Sequence, residues 1–284
     1  MSILIAALAM SLSAAAESDV LAQLRTRAEA GDAKAQFELA DSLDEGKHGV
    51  VDDPQALKWF EKAANAGNAD AQARAAYMYD QGEGTAEDNV KAAQFYLKAA
   101  NSGEVVSQYN LALMYDTGQG VKQDKVRARE WYTKAANQDY AIAQYNLALM
   151  YDNGDGVAED NTKAREWYGK AASNDNALAQ YNLAIMYDNG EGVTEDNEQA
   201  IKLYTMAAKQ KHGDSMFNMA VMYKTGDGVA KDMSNAYRWY ALAAKLEVGD
   251  AADSRDKAGL ALTDAQKAAA DAQVVQFAGT YLKK

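Results

Sequence analysis

YNLALMYDTGQGVKQD, residues 109–124, returns as YNLALMYDNGDGVAED at 145–160 and as YNLAIMYDNGEGVTED at 181–196. It returns once more as FNMAVMYKTGDGVAKD at 217–232, and the spacing is 36 residues each time. Moving 36 residues toward the amino terminus finds AAYMYDQGEGTAED at 75–88, and a further step finds the degenerate FELADSLDEGKHGVVDD from Phe37. Six copies in one register outweigh what the length of 284 residues suggests about domain number. A fixed period in this range means stacked units that bury one another's apolar faces, not one closed core.

Within a copy, two helical patterns flank a glycine turn. In the fourth, Ala143, Leu147, Met150 and Tyr151 fall at i, i+4, i+7 and i+8, one face of an α-helix. Gly154 and Gly156 break that helix at positions suited to positive φ or close backbone approach. Val157 is placed to plug the base of the hairpin, and Asp160 to cap the second helix, its carboxylate accepting from orphan N–H groups. Ala164, Trp167, Tyr168, Ala171 and Ala172 supply the second helix's inner face. Ala56, Ala92, Ala128, Ala200 and Ala236 repeat Ala164, and an Ala-Ala pair recurs from Ala63-Ala64 to Ala243-Ala244. Small residues permit close helix approach, while Trp59, Phe95, Trp131, Trp167 and Trp239 fill wider gaps. The Tyr, Trp and Met stripes therefore read as core.

Composition agrees with a helical chain. Pro occurs once, at Pro54, and interior Pro would break helices. The formal net charge of −12 argues against nucleic acid, which needs a basic footprint. With no Cys, disulfides, thiolate nucleophiles and zinc–sulfur sites are excluded. Residues 3–16 carry no charge and end in small residues, with Ala14 and Ala16 fitting a cleavage pattern before Glu17. We read 1–16 as a signal peptide and expect a periplasmic or secreted protein, cytoplasmic if that stretch is retained. A buried first helix is the alternative. No second apolar run is long enough to span a bilayer.

The pattern A-x-Y-x-L-[AG]-x-M-Y-x-x-G-x-G-V-x-x-D, then A-x-x-W-Y-x-x-A-A, resembles the Sel1-like repeat of the tetratricopeptide superfamily. The resemblance covers about residues 30–247. It implies an all-α fold, a right-handed α/α solenoid of six helix–turn–helix repeats with terminal capping helices, used as an adaptor in protein–protein interaction. Some Cys-rich members of that family are associated with penicillin binding, a parallel that the absence of Cys removes. We assign 17–29 as an amino-terminal capping segment and 248–284 as carboxy-terminal capping helices, the last opened by the capping-box sequence Thr263-Asp264-Ala265-Gln266. Asp139, Asp175 and Lys211 stand where the family has Gly, so those turns are expected to differ in geometry from the turns at Gly67 and Gly103.

Catalytic constellations do not emerge. His48 and His212 stand apart from any nucleophile or orienting carboxylate at motif spacing and read as solvated loop residues. P-loop, G-x-S-x-G and dinucleotide fingerprints are missing. Asp152-Asn153-Gly154-Asp155-Gly156 resembles the start of a calcium loop, but the twelfth position is Lys163, where a bidentate Glu is required. We expect no catalytic, metal or cofactor site.

What remains is surface. Beside the core stripe of each first helix runs a face at i, i+4, i+7. It holds Val106, Asn110 and Leu113 in copy three, Ile142, Asn146 and Leu149 in copy four, and Leu178, Asn182 and Ile185 in copy five. In copy six Asp214 leads, followed by Asn218 and Val221. If first helices line the concave side, as in related solenoids, these residues form an amide–aliphatic ladder. Amides both donate to and accept from a peptide backbone, and aliphatic neighbours exclude water from it. The competing reading is that Asn fills gaps between helices. The expected function is a non-enzymatic adaptor or regulatory scaffold for a protein or peptide partner, with no nucleic acid and no stable membrane span. A cell-wall or β-lactam-related hydrolase, and a purely structural cytosolic scaffold, stand as alternatives.

Overall fold

A computed structural model describes residues 19–47 and 51–282. The signal-peptide assignment and His48 lie outside them. Among the described residues the chain is entirely helical. A helix over 19–29, α1, leads into six pairs: α2 (Ala33–Glu45) with α3 (Asp53–Asn65), α4 (Ala69–Gln81) with α5 (Asn89–Asn101), and α6 (Val105–Thr117) with α7 (Lys125–Ala136). Then come α8 (Ala141–Asn153) with α9 (Asn161–Ser173), α10 (Ala177–Asn189) with α11 (Asn197–Lys209), and α12 (Gly213–Thr225) with α13 (Met233–Lys245). Two further helices follow, α14 (Ala251–Gly259) and α15 (Asp264–Tyr281). The architecture is an α/α solenoid, in which α2 to α6 pack in succession, as do α8 to α13. It divides into two compact units, one to Ala135 and one from Ala136.

Local chemistry sets the helix ends. Each first helix stops at a glycine in the left-handed region, Gly154 at φ 73° and Gly190 at φ 72° among them. The capping aspartates act twice. Asp160 accepts from the Lys163 N–H, and its own N–H donates to the Tyr151 carbonyl at 2.8 Å, closing the hairpin. Asp196 does the same with Gln199 and Tyr187. The second turn glycine meets both conditions foreseen for it. Gly192 has φ 66°, and a Cβ there would sit 2.7 Å from the Asn161 carbonyl oxygen of the preceding repeat. That repeat-to-repeat approach leaves no room for a side chain.

The turns between repeats differ in angle, as expected, while keeping the sign of φ. Asp139, Asp175 and Lys211 have φ of 60°, 59° and 69°, against 95° at Gly67 and Gly103. The closing bond is also kept: Asn176 N–H donates to the Ala171 carbonyl at 3.0 Å, as Asn68 N–H does to Ala63. A positive φ survives the loss of Gly because these bonds hold the backbone there, at the smaller angle that an L-residue tolerates better.

In the second unit the core is built of Ala148, Ala164, Ala179, Ala184 and Ala200 around Tyr168, Tyr204, Met219 and Trp239. Rings meet in pairs, Tyr145 with Tyr168 at 5.9 Å and Tyr181 with Tyr204 at 6.0 Å. The first unit repeats this arrangement with Phe37–Phe60 at 5.9 Å and Tyr109–Tyr132 at 5.8 Å. At the carboxy terminus Thr263 and Gln266 form the reciprocal capping box, and α15 packs on α13 through contacts that include Phe277 against Trp239.

Candidate interaction face

The face at i, i+4, i+7 comes from first helices, whose core stripe is buried while the neighbouring positions stay open. In the second unit Ile142 and Leu178 are 44% and 46% exposed, at equivalent positions of successive repeats. Asn146, Leu149, Asn182, Ile185, Asn218 and Val221 are half-buried beside them. In the first unit Val106 and Leu113 are exposed and Asn110 is half-buried.

The amides are not free. Asn182 Nδ2 donates to the Tyr168 hydroxyl at 3.2 Å, and that hydroxyl donates to Asp152 Oδ2 at 3.0 Å. One repeat later Asn218 Nδ2 donates to the Tyr204 hydroxyl at 3.1 Å, which reaches Asp188 Oδ2 at 3.3 Å. Each relay therefore ties two successive repeats together. In the first unit the buried Tyr96 hydroxyl has Asp80 and Asn110 near it but makes no hydrogen bond to either, so the relay is not closed there. Burial pushes all three tyrosine hydroxyls well up from the ordinary phenol range. It also raises the Asp188 carboxyl, with nearby Asp227 and Glu195 adding to the effect and the Tyr204 hydrogen bond opposing it. Gap-filling and surface display thus coexist in one set of residues.

A second ladder escaped sequence reasoning. Gln180 Nε2 donates to the Ala172 carbonyl at 3.1 Å, and Gln36, Gln72, Gln108 and Gln144 make the same bond, each to the carbonyl eight residues upstream. These buried glutamines give a second donor to a carbonyl at the end of the preceding helix that already accepts a turn N–H, that of Asp175 on Ala172 at 3.2 Å among them. Their signal was present, since Gln precedes the recurring Tyr-Asn. In copy six the position is Met216.

His212 is likewise not a solvated loop residue. It is the N-cap of α12, accepting from the Ser215 N–H, with Nδ1 3.0 Å from Ser215 Oγ and its ring 4.5 Å from that of Tyr181. Burial lowers its pKa, with Asp214 opposing. His212 shares its register with the capping residues Asp32, Asn68 and Asn176, the clue that was available in sequence. Among the described residues no group of three or more His, Asp or Glu is arranged for a metal ion, and no helix is long and apolar enough to cross a membrane.

A model of the Sel1 repeat matches six consecutive segments, 33–68, 69–104, 105–140, 141–176, 177–212 and 213–248. Among solved structures, the chain is similar to c5321, a protective antigen present in uropathogenic Escherichia coli strains. The identity is 32% and the TM-score 0.79, over 91% of this chain and 56% of that one. The chain thus spans little more than half of that relative. A Sel1 repeat protein from Oxalobacter formigenes is 28% identical with a TM-score of 0.71, over 84% of this chain and 99% of that one. Among curated proteins, none matches the chain.

Proposed function

Because the chain belongs to the Sel1 repeat family, whose members commonly serve as protein-interaction scaffolds, we propose that it is a non-enzymatic adaptor that binds a protein or peptide segment. The segment lies on the face formed by α8, α10 and α12. One observation carries this reading: Ile142 and Leu178 stay 44% and 46% exposed at equivalent positions, beside half-buried amides. Uncovered aliphatic side chains in a row favour a partner that removes them from water, at about 25 cal/mol per Å2. The proposal extends to export, supported by the uncharged stretch at 3–16 with its small residues before Glu17.

The asparagines are unsuitable as test residues, since Asn182 and Asn218 also hold tyrosine hydroxyls. The test is a pull-down with wild type and an Ile142→Asp/Leu178→Asp variant of unchanged melting temperature. Loss of the captured partner supports the reading, and undiminished capture overturns it. Amino-terminal sequencing of the mature protein tests export: a start at Glu17 supports it, and an intact Met1 overturns it.

A further inference from the structure

The aspartate that ends each first helix recurs as Asp44, Asp80, Asp116, Asp152 and Asp188, and the sixth repeat has Lys224 there. Its surroundings differ along the chain. Asp44 is paired with Arg74 at 2.6 Å, and Asp116 with Lys125 at 2.6 Å. Asp80 accepts from the Gln81 amide at 3.1 Å. Asp152 and Asp188 accept from tyrosine hydroxyls, and among the described residues neither has an ion-pair partner within 4.0 Å. Both are half-buried.

A partly desolvated carboxylate without a counter-ion is costly, so such a site favours any cation that can reach it. Both stand near the end of the helix whose first turn carries the aliphatic row, ten residues and about 15 Å along its axis. Asp152 is linked through one hydroxyl to Asn182, and Asp188 through one hydroxyl to Asn218. The aliphatic row of Ile142 and Leu178 runs on into the exposed carboxylate of Asp214 at the same position of the next repeat. Burial also raises the Asp188 pKa, as expected of a carboxylate short of compensation.

We propose that the partner segment is cationic: a segment running along the first helices, with aliphatic side chains covering Ile142 and Leu178 at one end and Lys or Arg pairing with Asp152 and Asp188 at the other. This rests on the interaction face proposed above and adds the chemistry of its occupant. The partner's cations take the place that Arg74 and Lys125 fill within the first unit. Tyrosine hydroxyls and asparagine amides hold the carboxylates in place, so little ordering is needed when a guanidinium or ammonium arrives.

The test uses a random linear peptide library displayed on phage, panned on the full chain and counter-selected on the Ile142→Asp/Leu178→Asp variant. Recovered peptides should combine aliphatic residues with Lys or Arg. They should bind about tenfold more weakly to an Asp152→Asn/Asp188→Asn variant and weaken with added salt. Asn keeps an acceptor for each tyrosine hydroxyl, and an unchanged thermal melt verifies that the variant folds. Peptides that need Ile142 and Leu178 but carry no basic residue, or bind the Asn variant equally, overturn the cationic partner and leave the face standing. Recovery of nothing that depends on Ile142 and Leu178 overturns both.

Discussion

Arg74 holds Asp44 through two guanidinium donors, Nε to Oδ2 at 2.7 Å and Nη2 to Oδ1 at 2.6 Å, across 30 residues of sequence. Glu83 joins from the turn at 2.8 Å. The pair fastens the second repeat to the first, and the Asp44 side chain is only 11% exposed. Asp44→Ala leaves the partly buried guanidinium with Glu83 alone and removes its two-donor pair, and about 1–3 kcal/mol of stability should be lost in urea denaturation. Asp188→Asn should be neutral or stabilising at neutral pH, because it removes an uncompensated carboxylate and keeps an acceptor for Tyr204. Equal losses from the two substitutions would contradict the assignment of compensated and uncompensated sites.

The glutamine ladder makes a prediction that the chain itself has already half performed. Gln180 is fully buried and donates to the Ala172 carbonyl, so Gln180→Ala removes that hydrogen bond, leaving the carbonyl only its turn N–H, and opens a small cavity. A loss of about 1–3 kcal/mol is expected. Gln180→Met should cost less, since Met216 occupies the same position of the sixth repeat with no exposure. Thermal melts of both variants decide the matter, and a Met variant no better than Ala would count against the packing part of the account.

Glycines in the two kinds of turn should respond differently. Gly192→Ala adds a Cβ 2.7 Å from the Asn161 carbonyl oxygen at φ 66°, so backbone must move as well as bear strain. About 3 kcal/mol or more is expected. Gly67→Asn meets nothing within 4 Å, and its counterparts Asp139 and Asp175 already adopt positive φ. Its cost should stay near about 1 kcal/mol. Comparable melting temperatures for the two variants would disprove the close-approach explanation.

Acid should loosen the sixth repeat. The folded-state pKa of His212 is lowered by burial, so the folded protein binds its proton less readily than the unfolded chain. Its contribution to stability is therefore present above the ordinary histidine value of about 6.5 and falls as pH drops through that value. Protonated Nδ1 cannot accept the Ser215 N–H, and the charge sits at the positive end of α12. His212→Asn, which restores the cap used at Asn176, should flatten stability between about pH 7 and 5. Hydrogen exchange at α12 gives the readout. Unchanged acid sensitivity in that variant would exclude His212 as the cause.

The recurrence of YNLALMYDNGDGVAED at a spacing of 36 was enough to establish repeat number, the turn within each helix pair and most of the core. These are local matters. A glycine admits positive φ, an aspartate caps the helix beginning beside it, and an alanine at helical spacing marks the seam where helices touch. The amide face was legible as a row of residue types, and the structure adds that Asn182 and Asn218 are already bound to tyrosine hydroxyls of the preceding repeat. Only tertiary structure decided which aspartates have cations, because Asp44 and Arg74 lie 30 residues apart while Asp188 finds no such neighbour. Nor could composition reveal that Asp175 and Lys211 would keep a positive φ. That depends on closing bonds made by the chain on either side. Residue type sets what a position can do, and the neighbours brought against it by stacking determine which of those possibilities it carries out.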